Sequence, residues 1–91
     1  MLSLDDALVI EADALFRELG GEGVILDLGS GRYFGVDRVG ARIWQLLVER
    51  RTLRSVHQQL LSEFDVPPET LERDLINFAG ELLNRGLAKA T

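Results

Sequence analysis

Residues 26–44 read LDLGSGRYFGVDRVGARIW, and the hydrophobic pattern changes its period inside this stretch. The first part sets short apolar and aromatic runs between glycine-rich turn signals, which is typical of β-strands joined by tight turns. From Asp37 onward, apolar residues recur at three- and four-residue intervals, which is typical of an amphipathic helix. The stretch therefore marks the point where a sheet ends and a helical segment begins.

Three strands are predicted up to this point from residue type and from the glycines that bound them. The first covers residues 14–19 and closes at a glycine turn over 20–23, the second covers 24–28, and the third covers 32–36. The turns are short enough to dictate hairpins, so the strands are expected to form an antiparallel meander. The N-terminal segment is ambiguous, because its apolar run fits an edge strand or a brief helix.

Three helices are predicted after the meander. Asp37 is expected to cap the first helix and Thr52 the second, since short polar side chains at this position accept backbone hydrogen bonds. The third helix is expected to begin at Pro67 and Pro68, because proline is tolerated in a first helical turn, and to end at Gly86. Glycine is concentrated in the first half of the chain, which agrees with strands first and helices second.

This order of elements predicts an α+β fold: a three-stranded antiparallel sheet followed by a three-helix bundle, similar to winged helix-turn-helix proteins. A chain of 91 residues with 46% hydrophobic residues is expected to form one domain, residues 1–91, around one modest core. The sequence shows no secretory signal and no apolar run of membrane-spanning length. The expectation is a cytoplasmic protein with no membrane partner.

Composition argues against several classes of function. The formal net charge is −5, with 10 basic residues against 15 acidic ones, whereas a duplex-binding domain gains most of its affinity from Lys and Arg. There is no cysteine and a single histidine, His57, so we expect no thiolate chemistry and no metal site. The carboxylates of the third helix have no partner base in the sequence. We therefore expect a protein that is not an enzyme and uses no cofactor.

The third helix carries more apolar surface than a core contact requires. At about 100° per residue, its apolar positions form two lines that lie roughly 100° apart. These lines are Leu71, Leu75, Phe78 and Leu82, and Ile76, Ala79 and Leu83. Part of this surface can pack on the core while the rest borders a groove. The alternative is that a small domain buries the whole helix deeply.

The third strand is predicted to be an edge of the meander, with unpaired backbone donors and acceptors. Its residues are Arg32, Tyr33, Phe34, Gly35 and Val36. Only the first is charged and none is proline, so nothing discourages pairing with an extended peptide. Proline at Phe34 or Val36 is expected to abolish such pairing, because one of their N–H groups should face the peptide. The alternative is that residues 1–13 fold back and cover this edge.

The stretch 26–44 resembles the PqqD-like family of RiPP recognition elements, small domains that bind the leader segment of ribosomally made precursor peptides. The aromatic-Gly-hydrophobic-Asp step at 34–37 and the Gly-Ala-Arg-Ile-Trp helix at 40–44 carry the resemblance. The likeness extends over residues 14–88, with a specific first half and a generic second half. Within the family, the chain is most similar to the stand-alone recognition proteins of lasso-peptide biosynthesis.

This resemblance implies a function, partners and a site. It implies that the leader adds antiparallel to the third strand and packs against the third helix, beside a separate leader peptidase and a cyclase. The peptide-binding residues so implied are Arg32, Tyr33, Phe34, Gly35 and Val36 of the strand and Leu71, Asp74, Leu75 and Phe78 of the helix. Which strand side chains face the groove stays open, because a slip of one residue exchanges the two faces.

The alternative function is that of a winged helix DNA-binding protein. Helix-turn-helix spacing over residues 52–87 is common among such proteins. A helix that reads DNA should present Arg or Lys to phosphates and base edges. Residues 68–86 hold four acidic residues and two basic ones, which argues against nucleic acid as a partner.

Overall fold

The computed structural model describes residues 2–50 and 52–91, without the side chain of residue 50. Within this part of the chain the order of elements is β1 (Leu8–Ile10), β2 (Ala14–Leu19), β3 (Glu22–Asp27), β4 (Arg32–Val36), α1 (Arg38–Arg50), α2 (Leu53–Glu63), α3 (Pro68–Asn84) and β5 (Ala88–Ala90). Strands β2, β3 and β4 form an antiparallel sheet in that order, and β1 pairs with β5 in a second, two-stranded sheet. The predicted α+β class, a three-stranded antiparallel sheet followed by three helices, is confirmed.

The first turn of the three-stranded sheet is tighter than predicted. Leu19 pairs with Glu22, so the loop consists of Gly20 and Gly21 alone. Their φ angles are 63° and 92°, the left-handed region that a two-residue type I′ turn requires and that glycine adopts without steric cost. This turn fixes the hydrogen-bonding pattern of the strands that follow it.

Helices α1 and α2 begin where predicted, but by different means. Asp37 caps α1, since its Oδ1 accepts a hydrogen bond from the N–H of Gly40 at 2.8 Å. Thr52 occupies the N-cap position of α2 without a side-chain capping bond. Its hydroxyl lies instead 2.6 Å from the hydroxyl of Ser55, so the predicted cap is right in position and wrong in its hydrogen bond.

Helix α3 has both of the predicted end signals. Pro68 occupies its first turn, and Gly86 follows its last turn with φ 72°. The N–H of Gly86 donates to the carbonyl of Leu83 at 3.2 Å, and the N–H of Leu87 donates to the carbonyl of Leu82 at 2.9 Å. These two bonds form a Schellman motif, which ends the helix and turns the chain into β5.

The core lies between the inner face of the three-stranded sheet and the helices. Trp44 of α1 stacks on Phe16 of β2 with ring centroids 6.1 Å apart, and Trp44 is only 3% exposed. The largest fully buried side chains are Leu8, Ile25, Ile43, Leu46, Leu47, Leu53, Val56, Leu60, Leu71, Leu75 and Leu87. Each such side chain contributes about 1.5–3 kcal/mol on burial, so this cluster holds the sheet and the helices together.

The N-terminal segment does not cover the edge of the meander. Strand β1 pairs antiparallel with β5 along its whole length, with Val9 opposite Lys89. The residues before it bond to the start of α2, where the N–H of Leu53 donates to the carbonyl of Asp6 at 3.0 Å. The alternative in which this segment folds over the third predicted strand is therefore wrong for the described residues 2–13.

Strand β4 consequently remains an edge. It pairs with β3 on one side, and no strand of the described chain pairs with it on the other.

No helix within residues 2–50 and 52–91 combines the length and apolar character needed to cross a bilayer.

Candidate peptide-binding groove

Strand β4 directs alternate side chains to the two faces of the sheet. Phe34 lies opposite Ile25 of β3, and Ile25 is 1% exposed in the core, so Phe34 points towards the helices. Val36 has the same parity and points the same way, whereas Tyr33 is 73% exposed on the opposite face. The side chains that border the helices, which the sequence alone left open, are those of Phe34 and Val36.

The two-residue turn determines which backbone groups of β3 face each neighbouring strand. In such a hairpin the flanking pair, Leu19 and Glu22, exchanges hydrogen bonds, and every second residue of β3 then bonds to β2. A hydrogen bond of 3.0 Å from the N–H of Leu28 to the carbonyl of Asp13 continues this alternation beyond the strands. The intervening residues of β3, Ile25 among them, therefore bond to β4.

The unpaired backbone groups of β4 belong to Tyr33 and Gly35. Phe34 and Val36 lie opposite the β3 residues that bond to β4, so their N–H and C=O groups point into the sheet. Tyr33 and Gly35 alternate with them and direct their N–H and C=O groups to the open edge. The expectation that proline at Phe34 or Val36 removes a donor to a peptide is wrong, because those donors belong to the sheet itself.

A groove of about 650 Å³ runs between β4, the beginning of α1 and the second half of α3. Five of the predicted site residues line it: Phe34, Gly35, Val36, Asp74 and Phe78. Apolar core side chains such as Ile43 and Leu82 form its floor. The groove therefore places an apolar surface directly beside the unpaired edge of β4.

Gly40 keeps the walls of this groove close together. A Cβ atom at Gly40 would lie 3.2 Å from Cβ of Val36 and 3.4 Å from Cε1 of Phe78. The start of α1 is thus in close contact with both the strand and the helix that border the groove. A larger residue at this position would push the two walls apart.

The remaining predicted site residues do not line the groove. Leu71 and Leu75 are 1% and 0% exposed, because the inner line of α3 packs on the core. Arg32 and Tyr33 are exposed on β4, and Tyr33 projects its ring to the face away from the helices. Of the nine predicted residues, the structure thus brings five together at the groove and places Leu71 and Leu75 in the core.

Several lining residues were missed by the sequence analysis. They include Val39, Asn77, Glu81, Leu82 and Arg85. Asn77, Glu81 and Arg85 follow Asp74 at helical spacing, so they share its side of α3. These polar positions recur with the same helical period as the apolar lines. The sequence could therefore have revealed them, but the prediction used the apolar positions alone.

Arg85 lies across one end of the groove. Its guanidinium carbon is 3.9 Å from the centroid of the Phe34 ring, within the range of a cation–π contact. Its Nε also lies 3.4 Å from Oε2 of Glu81, one turn earlier on α3. These two contacts connect the C-terminal end of α3 to the middle of β4.

The charges in the groove do not match a nucleic-acid surface. Asp37, Asp74 and Glu81 line it together with one basic residue, Arg85. Phosphates would meet a net negative surface here.

Within the described residues, no group of three or more His, Cys, Asp or Glu side chains is placed to hold a metal ion. The groove is suited to an extended peptide, with backbone partners at its edge and an apolar floor.

Comparison with protein families identifies the class. The chain matches the family model for Coenzyme PQQ synthesis protein D (PqqD) over residues 22–88. This match covers more than half of the sequence, and the chain belongs to the PqqD family. Among curated proteins, none matches the sequence.

Two solved structures are similar to this one. One is the structure of TbiB1 in complex with the TbiA(beta) leader peptide. The matched chain is 36% identical in sequence to this one, with a TM-score of 0.80, and the match covers 88% of this chain and 93% of that chain. Lasso peptide synthetase B1 complexed with the leader peptide is 26% identical, with a TM-score of 0.79 and coverage of 91% and 98%. These comparisons do not support the alternative of a winged helix DNA-binding protein.

Proposed function

We propose that this protein binds the leader segment of a ribosomally made precursor peptide by adding it as a strand to β4. The observation that carries this proposal is the unpaired backbone of Tyr33 and Gly35 beside an apolar groove. An added strand would satisfy these donors and acceptors and lay alternate side chains into the groove. Two similar proteins are known in complex with leader peptides, which supports the same ligand class here.

The residues of the groove divide into three roles under this proposal. Tyr33 and Gly35 supply backbone hydrogen bonds to the guest. Phe34, Val36 and Phe78 supply apolar contact, while the Asp74 carboxylate faces the guest at the groove margin. Leu71 and Leu75 are buried in the core, where they hold α3 in place. Arg32 is the exposed first residue of β4, at one end of the edge to which the guest would add.

The proposed role in the pathway is presentation and not catalysis. A bound leader would be held in one extended conformation, which lowers the entropy that a processing enzyme must otherwise overcome. We propose a leader peptidase and a cyclase of lasso peptide biosynthesis as the enzymes that receive it. Because the precursor is made on ribosomes, the proposed place of binding is the cytoplasm.

Proline at position 35 tests the strand-addition mode. Gly35→Pro removes an N–H that faces the guest and leaves the hydrogen bonds between β3 and β4 intact, so we expect binding to fall at least tenfold with the fold retained. The probe is the TbiA(beta) leader peptide, labelled for fluorescence anisotropy.

Glu18→Pro is the matched control for this variant. Glu18 lies on β2 at the opposite edge of the sheet, and by the same alternation its N–H also points away from β3. This variant should bind like the parent. Equal binding by Gly35→Pro and the parent, with both folded, contradicts strand addition to β4.

Amide hydrogen exchange provides an independent reading of the same proposal. In the free protein, the amides of Phe34 and Val36 should exchange slowly and those of Tyr33 and Gly35 quickly. Peptide binding should slow the exchange at Tyr33 and Gly35 specifically. Protection that appears elsewhere and leaves these two amides unchanged places the ligand at another site.

A further inference from the structure

The wall of the groove that α3 contributes carries opposite charges at its two ends. Asp74 and Arg85 both line the groove, and at about 100° per residue they lie on nearly the same side of the helix. Eleven positions separate them, which corresponds to roughly 16 Å along the helix axis. A guest strand that follows this wall therefore passes a carboxylate at one end and a guanidinium at the other.

The direction of β4 relative to α3 follows from two contacts. Arg85, at the end of α3, lies over Phe34 at 3.9 Å. Phe78, two turns earlier, and Val36 both lie beside Gly40. A Cβ atom at Gly40 would be 3.4 Å from Cε1 of Phe78 and 3.2 Å from Cβ of Val36. The strand thus advances from Phe34 to Val36 while the helix runs back from Arg85 to Phe78, and the two elements are antiparallel.

A guest that pairs antiparallel with β4 must then run parallel to α3. Its N-terminal part lies at the Val36 end of the groove, towards Asp74, and its C-terminal part lies beside Phe34 and Arg85. This step rests on the proposed function together with the antiparallel pairing that the family resemblance implies. The two charges are therefore met in a fixed order along the guest sequence.

Both charged groups can still form hydrogen bonds or ion pairs with a guest peptide. No hydrogen bond or ion pair within the described chain engages the exposed carboxylate of Asp74. Arg85 uses its Nε towards Glu81 at a long 3.4 Å, which leaves the other N–H donors of the guanidinium for an acceptor. A guanidinium held over an aromatic ring is also pre-positioned, so less side-chain entropy is lost on binding.

We infer that the groove selects its guest by charge order, with a basic side chain first and an acidic side chain about four residues later. In an extended strand, roughly 16 Å corresponds to about five residues, but only even separations place both side chains on the groove face. Helical side chains lean towards the N-terminus of their helix, and the longer Arg85 side chain leans further than that of Asp74, which shortens the distance between the two charges and favours the shorter even spacing.

A selection experiment tests this inference without knowledge of the natural leader. Random peptides of about 12 residues, long enough to pass the groove, are displayed on cells and selected for binding to the parent protein. Parallel selections use the charge-exchanged variant Asp74→Lys/Arg85→Glu and the control Glu72→Lys/Arg73→Glu. The control alters two exposed neighbours on α3 that do not line the groove. Only peptides whose binding is lost with Gly35→Pro are counted.

The parent and the control should enrich peptides with Lys or Arg before Asp or Glu at an even spacing, and the charge-exchanged variant should enrich the reverse order. One enriched peptide is then synthesised with its two charges in both orders. Exchange should weaken binding to the parent roughly three- to tenfold at low ionic strength, and the difference should shrink near 1 M salt, where the Debye length is about 3 Å.

Two results overturn the inference. One is the same charge pattern from the parent and the charge-exchanged variant, and the other is an affinity for the parent that stays within about twofold when the peptide charges are exchanged. If the charge-exchanged variant does not fold, the affinities of the parent protein for the two synthetic peptides test the inference without it. Failure of the proposed function is distinguishable, because peptides would then bind Gly35→Pro as well as the parent whatever their charges.

Discussion

At the scale of single residues, Phe78 and Leu75 show how neighbours on one helix take different roles. Both belong to the apolar line predicted for α3, and they lie less than one turn apart. Leu75 is 0% exposed in the core, whereas Phe78 is partly buried and reaches the groove beside Gly40. A helical wheel cannot separate the two, because the boundary between core and groove depends on where β4 and α1 lie.

Phe78→Ala is expected to weaken leader binding by about 1–3 kcal/mol, because an aromatic anchor in an apolar groove contributes this much to affinity. Fluorescence anisotropy with the labelled leader measures the effect. Ile76→Ala is the matched control, since Ile76 is also partly buried on α3 but lies outside the groove. If the two variants lose stability alike and bind alike, the ring of Phe78 serves the core and not the guest.

The sequence could not decide the orientation of Tyr33 and Phe34. Adjacent aromatic residues on an edge strand look equivalent in a pattern, and a shift of one residue exchanges their faces. The decision comes from the pairing of Phe34 with Ile25, which is 1% exposed in the core. The glycine turn at positions 20 and 21 decides a separate matter, the direction of the backbone N–H groups, and it corrected the expected effect of proline from Phe34 and Val36 to Tyr33 and Gly35.

At the scale of elements, the strands and helices that carry strong local signals were predictable. The bounds of β4, the Asp37 cap and the Gly86 end of α3 all depend on residues with specific backbone preferences. Strand β5 was missed, because its three residues carry no strand pattern and become a strand only through pairing with β1. Short strands of this kind are set by tertiary contacts, which local sequence does not encode.

The pairing of β1 with β5 is expected to serve stability and not binding. Leu8 of β1 is 0% exposed, so Leu8→Ala should lower the free energy of unfolding by about 2–4 kcal/mol through the lost contacts and the cavity left behind. Denaturant unfolding measures this loss. Below the unfolding transition, the affinity for the leader should stay unchanged, because β1 does not contribute to the groove. Reduced affinity of the folded variant would show that the two sites are coupled.

At the scale of the whole molecule, binding and folding are linked. A guest that binds the folded chain and not the unfolded one adds about 2.7 kcal/mol of stability at a free concentration of 100 times its Kd. For a chain of this size, that corresponds to an increase in Tm of roughly 10–20 °C. Thermal unfolding monitored by circular dichroism, with and without the leader, checks the shift. At the same leader concentration, a tenfold loss of affinity leaves only about 1.4 kcal/mol, so the Gly35→Pro variant should show at most about half of this shift, and an equal shift in that variant contradicts binding at β4.

The small two-stranded sheet has a consequence for how such a unit can be joined to other proteins. Because the first and last strands lie side by side, both described ends leave the domain from the same place, and Leu2 and Ala90 border a shallow surface next to Gly80 of α3. A protein fused through either end would therefore adjoin α3, where Asn77 and Glu81 border both this surface and the groove, and not the edge of β4. An attached enzyme would thus stand next to the α3 wall of the groove, while the unpaired backbone of β4 stays open on the other side of the groove.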